Sequence, residues 1–245
     1  MDRMIYTAMT GASAAQYRQQ VLANNLANVS TPGFRAELST FRAVPVRGDG
    51  ASTRVFAVEA TAGHSDLPGS ISQTGRNLDV AAQGNAYFAV QALDGTEAYT
   101  RAGGLEVNPE GTLVGASGLP MLGDGGPITI PANARVDIGA DGTVSARVGN
   151  EPGQVVGRLK MVTPDADNPI KRSEDGLFRA PGGDPLPASD VARLQDGALE
   201  GSNVNPVEAM VGMIAAARQF EVQMRMLQNG EGNDRAASQL LGMNG

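Results

Sequence analysis

Cysteine and tryptophan are absent from this chain, and histidine occurs once, at position 64. Without cysteine there is no disulfide framework and no thiolate metal site. A single histidine removes the His clusters on which most transition-metal centres rest. Aromatic residues make up only 4%, which speaks against a sugar-binding module that needs exposed rings for stacking. Basic residues are the minority: 19 Lys and Arg against 26 Asp and Glu leave a net charge of −7, the wrong sign for non-specific nucleic-acid binding. No apolar run reaches about eighteen residues, so no membrane-spanning helix and no direct membrane insertion are expected. The opening Met1-Asp2-Arg3-Met4-Ile5-Tyr6 has no basic region followed by an apolar stretch, so no cleavable signal peptide is expected.

What the chain has in quantity is glycine and proline. Its 245 residues include 32 Gly and 14 Pro, which favours turns and β-structure over a helical bundle. Most of both fall between residues 36 and 203, where the hydrophobic period is two. Tyr87–Ala92 and Glu97–Thr100 flank Asp94-Gly95, a hairpin turn signal. Gly104–Val107 and Thr112–Val114 flank Asn108-Pro109-Glu110-Gly111, a type I turn sequence. Arg135–Ile138 and Thr143–Ser145 flank Asp141-Gly142. Short strands joined by such turns predict an all-β domain, a sandwich or a barrel.

The two ends read differently. Ile5, Ala8, Ala12, Ala15, Gln19, Leu22, Leu26 and Val29 alternate steps of three and four, which predicts a helix to about residue 29 with a coiled-coil-like seam. Its other faces carry few charges, unlike an ordinary solvated helix. Asn28 and Pro32 end it. Near the other end, Asn205-Pro206-Val207-Glu208 joins a cap residue, a proline at the first helical position and a glutamate three residues after the cap. Met210, Met213, Ala217, Phe220, Met224 and Leu227 then form a second seam, widened by Val207, Val211 and Ile214. Gly230 and Gly232 predict a break or bend before the helix resumes, since each costs about 1 kcal/mol relative to Ala.

The expected fold class is therefore α+β. The N- and C-terminal α-helices pair as a coiled-coil-like segment, around an all-β central domain and an extended connector. The expected parts are residues 1–35 as N-terminal helix, 36–72 as connector, 73–203 as β-rich domain and 204–245 as C-terminal helix. Low charge on the outer faces of both helices points to contact with neighbouring copies of the chain.

Enzymatic chemistry has little support. His64 sits in a Gly/Ser-rich stretch and is expected to be an exposed loop residue. Gly123-Asp124-Gly125-Gly126-Pro127 lacks the Lys-Ser/Thr of a phosphate loop. Asp165 and Asp167 lack the spacing of a calcium loop. The methionines at 210, 213, 224 and 226 suit irregular packing better than metal binding. A wall hydrolase would need a paired-carboxylate cleft, and nothing marks two of the acidic residues out. No catalytic residue, cofactor or metal is expected.

Two segments carry a family resemblance. Ala23-Asn24-Asn25-Leu26-Ala27-Asn28-Val29-Ser30-Thr31-Pro32-Gly33-Phe34 resembles a signature of flagellar rod and hook proteins. Leu199-Glu200-Gly201-Ser202-Asn203-Val204 resembles the motif that precedes their C-terminal helix. Thr74–Phe88 and Tyr99–Gly103 resemble the entry to the family's β-domain, and the opening Met1–Ala12 resembles the proximal-rod type. The resemblance implies a self-assembling rod subunit that leaves the cell through the flagellum's own type III export apparatus without signal cleavage. It also implies partners: copies of itself and other rod proteins, proximal and distal. The implied assembly interface is Ile5, Ala8, Ala12, Ala15, Leu22, Asn24, Asn25, Leu26 and Asn28 on the first helix. On the second it is Val207, Met210, Met213, Ile214, Ala217, Phe220, Met224 and Leu227. For Asn24, Asn25 and Asn28 two roles stay open: amide hydrogen bonds between subunits, or capping and turn formation within one.

Overall fold

Asn205 starts the C-terminal helix as its sequence predicts. Its Oδ1 accepts the Val207 and Glu208 amides at 3.1 and 3.3 Å, and Pro206 occupies the first turn, where a missing N–H costs nothing. In the computed structural model, which describes residues 2–45, 55–173 and 175–242, this helix, α2, runs Pro206–Gly242. The N-terminal helix, α1, runs Asp2–Ala27. It stops two residues before the expected end, where Thr31 donates its amide to Asn28 O at 3.1 Å and closes a turn. The expected interruption at Gly230 and Gly232 is absent: α2 continues through both, and Gly230 is buried. Burial outweighs the weak helix propensity of glycine at Gly230, while Gly232 is exposed and has open space around it.

The chain forms two compact units. The first holds α1, α2 and a two-stranded ribbon made of β1 (Glu37–Pro45) and β2 (Val55–His64). The ribbon occupies about half of the expected connector, and residues 65–72 of it belong to the β-rich body. Residues 46–54 lie outside the described residues, as do the extreme ends of the two helical segments. Asn25 fastens α1 to β1. Its Oδ1 accepts the Glu37 amide at 2.8 Å and its Nδ2 donates to Glu37 O at 2.9 Å. One side chain thereby satisfies both backbone groups of a strand residue.

The second unit, residues 28–36 and 64–204, is the β-rich body. Its strands are β3 (Ile71–Gln73), β4 (Val80–Ala82), β5 (Tyr87–Gln91), β6 (Glu97–Thr100), β7 (Leu105–Val107) and β8 (Leu113–Gly115). They continue as β9 (Leu122–Gly123), β10 (Gly126–Pro127), β11 (Ala134–Ile138), β12 (Thr143–Val148) and β13 (Gln154–Arg158). The last are β14 (Met161–Val162), β15 (Lys171–Arg172), β16 (Phe178–Arg179), β17 (Leu194–Asp196) and β18 (Ala198–Glu200). The three hairpins expected from turn chemistry are β5–β6, β7–β8 and β11–β12, all antiparallel. A five-stranded sheet has the order β14-β5-β6-β16-β15.

Strand β5 is buried on both faces. Phe88 and Val90 join the larger core cluster, with Leu105, Leu113, Met121 and Leu159. Tyr87 and Ala89 join a second cluster with Tyr99, Val162 and Phe178. Period two thus sends alternate residues into two cores. Returning strands close the body. β17 pairs with β4, and β18 pairs with β3 in the register Glu200 opposite Ile71. The second terminal motif therefore begins at the edge of the body.

Candidate functional site

For a chain of this design the sites to consider are the helix surfaces and the junction of the terminal motifs. The helices pack antiparallel within their own unit. A Cβ on Gly11 would lie 2.8 Å from the Gln223 side chain, and one on Gly212 would lie 3.0 Å from Leu22. Ala8, Ala12 and Ala15 are buried on α1, and Ala209 and Ala216 on α2. Small residues let the backbones approach, at the cost of little apolar area per side chain.

The structure divides the proposed interface residues into two groups. Ala8, Ala12 and Ala15 are buried, and Ile5, Leu22, Leu26, Met213, Ala217, Phe220 and Leu227 are half-buried. Val207, Met210, Ile214 and Met224 are exposed. The inner stripe of α2 is Ala209, Met213, Ala216, Phe220, Gln223 and Leu227. It is shifted by one residue from the predicted seam at three of six positions. At 100° per residue, Val207, Val211 and Ile214 lie roughly opposite that stripe and Met210 lies between the two. Their exposures are 67, 51, 60 and 56%, so the first two turns of α2 carry a second apolar face.

The asparagines have separate tasks. Asn25 is buried and held by Glu37. Asn24 is exposed and donates to Glu37 Oε2 at 3.3 Å. Asn28 Oδ1 accepts the Thr31 hydroxyl at 3.1 Å.

Sequence reasoning missed the junction of the motifs. Arg35, Arg101 and Glu200 are each about 2% exposed. Glu200 Oε2 accepts Arg101 Nε at 2.7 Å, and Oε1 pairs with Arg35 Nη2 at 2.9 Å. The Arg101 guanidinium also donates to the carbonyls of Ala82, Gly84 and Ala86. Burial pulls Arg101 below its ordinary value, Glu200 opposes that pull and Arg35 adds to it. Asn203 completes the junction: its Oδ1 accepts the Ala36 amide at 2.6 Å and its Nδ2 donates to Leu67 O at 2.8 Å. Gly33 permits the approach. Its φ is +70°, and a Cβ there would lie 2.3 Å from the Arg101 carbonyl carbon. The available signal was chemical: Arg35, Arg101 and Glu200 each lie within two residues of a glycine, in or beside the stretches that carry the family resemblance.

His64 corrects an expectation. It ends β2, and its side chain is 10% exposed. The ring meets Phe178 edge-on at 4.6 Å, and Nε2 lies 3.2 Å from Asp66 and 3.5 Å from the Tyr87 hydroxyl. An imidazole can pack on an aromatic face, so a Gly/Ser-rich neighbourhood did not make it a free loop residue. Asp165 is a turn residue: its carboxylate accepts the Asp167 and Asn168 amides at 3.0 and 2.7 Å.

Comparison with known proteins accords with this geometry. The family model described as "Flagella basal body rod protein" matches residues 5–35, which hold most of α1 and the turn after it. "Flagellar hook protein FlgE/F/G D1 domain" matches residues 81–146 of the β-rich body. "Flagellar basal body rod FlgEFG protein C-terminal" matches residues 195–240, from β17 through most of α2. The flagellar basal-body rod protein FlgF of Salmonella typhimurium is 48% identical over 99% of this chain and 100% of its own length. That of Escherichia coli is 46% identical over the same shares. The rod protein FlgG of Buchnera aphidicola (subsp. Baizongia pistaciae) is 30% identical over 91% of this chain and 94% of its own. With full-length relatives at this identity and matches at both ends and in the middle, the chain belongs to the flagellar basal-body rod protein family, close to FlgF, and is a structural subunit of the rod.

Proposed function

We propose that the chain polymerises through its two terminal helices, paired in a coiled-coil-like manner, and that the polymer is the proximal part of the rod. The observation that carries this reading is the second apolar face of α2. Val207, Val211 and Ile214, flanked by Met210, stand in solvent on one chain, away from the stripe that meets α1. Burying such a side chain stabilises by about 1.5–3 kcal/mol, so a neighbour's helix seated there gains enough to offset the ordering of both. Repeated around an axis, the pairs form a tube. The tube encloses the export channel and carries torque from the motor towards the hook, while the β-rich bodies decorate its outside. The partners are then copies of this chain and other rod proteins at the two ends. The location is the periplasm-spanning part of the basal body, reached through the flagellar type III export apparatus. The role is mechanical and not catalytic.

Deletion of residues 2–27 tests the assembly role of α1. The deleted chain is expected to keep a folded β-rich body by circular dichroism, yet to build no rod and restore no swimming in cells lacking the intact protein. A rod built by the deleted chain would refute the assembly mechanism. The FlgG likeness keeps a distal-rod or hook-type position as the second reading, since that relative covers most of the chain at 30% identity. Labelling the chain in isolated basal bodies separates proximal from distal.

A further inference from the structure

Two chain segments that are remote in sequence from residues 200–203 depend on them for most of their polar bonds. In the strap that follows α1, the Gly33 amide donates to Glu200 O at 2.8 Å and the Arg35 guanidinium pairs with the Glu200 carboxylate. The Ala36 amide donates to Asn203 Oδ1, and the Asn203 amide to Phe34 O at 3.2 Å. In the loop after β2, the Gly69 amide donates to Glu200 Oε1 at 3.0 Å, and Ser65 O and Leu67 O accept from Asn203 Nδ2. Neither segment contributes a side chain to the two hydrophobic clusters of the body.

The charge arrangement is lopsided. Arg35 and Arg101 have side chains about 1% exposed and share one carboxylate. Arg172 adds a third cation, lying 4.3 Å from the Phe34 ring and donating to Arg35 O at 3.1 Å. Removing one partner from a buried ion pair leaves an uncompensated charge at large cost. Here the loss of Glu200 would leave several like charges together. Arg101 is tied to the carbonyls of Ala82, Gly84 and Ala86 in the body, so the group free to leave is Arg35 with its strap.

We propose that residues 33–36 and 65–69 form a detachable strap, locked onto the body by the Glu200 carboxylate and released as one unit when that carboxylate is missing. The order of the stretch following α1 then depends on arrival of residues 200–203. A chain whose residues 200–203 have not yet docked leaves its N-terminal stretch undocked while the body's core, which takes Ala192 and Leu194 from the preceding segment, stands. This device does not depend on the rod reading and is tested on the isolated full-length chain.

The test is amide hydrogen exchange on wild type, Glu200→Gln, Arg35→Met and the double variant. Glu200→Gln is expected to speed exchange at Gly33, Ala36 and Gly69 by at least about tenfold, while β5 and β6 amides change by less than about twofold. Arg35→Met is expected to loosen the strap less, because the Arg101–Glu200 pair survives. The double variant is expected to exchange more slowly at the strap than Glu200→Gln, because the orphaned cation is gone. Unchanged exchange in Glu200→Gln overturns the lock. Equal loss of protection in strap and core, in either single variant, overturns detachability. A double variant no better protected than Glu200→Gln overturns the charge mechanism.

Discussion

Gly33 has a conformation and a neighbour that both forbid a side chain. Its φ of +70° lies in the left-handed region, and a Cβ would sit 2.3 Å from Arg101 backbone. Gly33→Ala is expected to cost at least about 2 kcal/mol, read as a fall in the denaturation midpoint. Gly75→Ala, with the same φ and open space around its Cβ site, is expected to cost clearly less. His64 gives a pH dependence. Burial holds its imidazole below the ordinary value, Asp66 opposes this, and Arg35 and Arg172 reinforce it. The folded chain thus favours neutral His64. That contribution is present above the unfolded value of about 6.5 and is lost as pH falls from there through the lowered folded value. Between about pH 7.5 and about pH 5.5, Tm is expected to fall further in wild type than in His64→Gln; equal falls would contradict the assignment. Neither residue announces its role in sequence. Glycine and histidine are defined here by what packs on them, and Arg101 and Phe178 lie far along the chain.

Among the elements, those with local causes were legible. The hairpins at Asp94-Gly95 and Asp141-Gly142 follow from turn chemistry within a few residues. The start of α2 follows from Asn205 and Pro206. The inner face of α2 was not legible in full, for a physical reason. Hydropathy ranks Met210 above Ala209, but close helix approach selects the smaller residue, so at this pair alanine turns inward and methionine outward. A helix with two apolar faces has no single seam for periodicity to find. The Arg35–Glu200 contact was illegible because it is non-local. The attachment of α1 to β1 rests on Asn25, whose amide serves both backbone groups of Glu37. Asn25→Ala leaves those groups unpaired and is expected to cost about 1–3 kcal/mol, with faster exchange of the Glu37 amide than of β5 amides. Equal change at both sites would argue against a local clamp.

In the whole molecule the division of labour is between a β-rich body with its own two cores and terminal helices whose small inner residues bury little area. Helices of this kind rely on packing for stability, and the apolar face left on α2 is what a neighbour would complete. The most direct measurement uses that face without disturbing the fold. Val211 and Ile214 are 60 and 56% exposed on the free chain, so Val211→Asp with Ile214→Asp is expected to shift its stability by no more than about 1 kcal/mol. Expressed in cells lacking the intact protein, the double variant is expected to leave basal bodies without a rod by electron microscopy and cells that do not swim. Rods of normal length and full swimming, from a variant of unaltered Tm, would contradict assembly through the terminal helices.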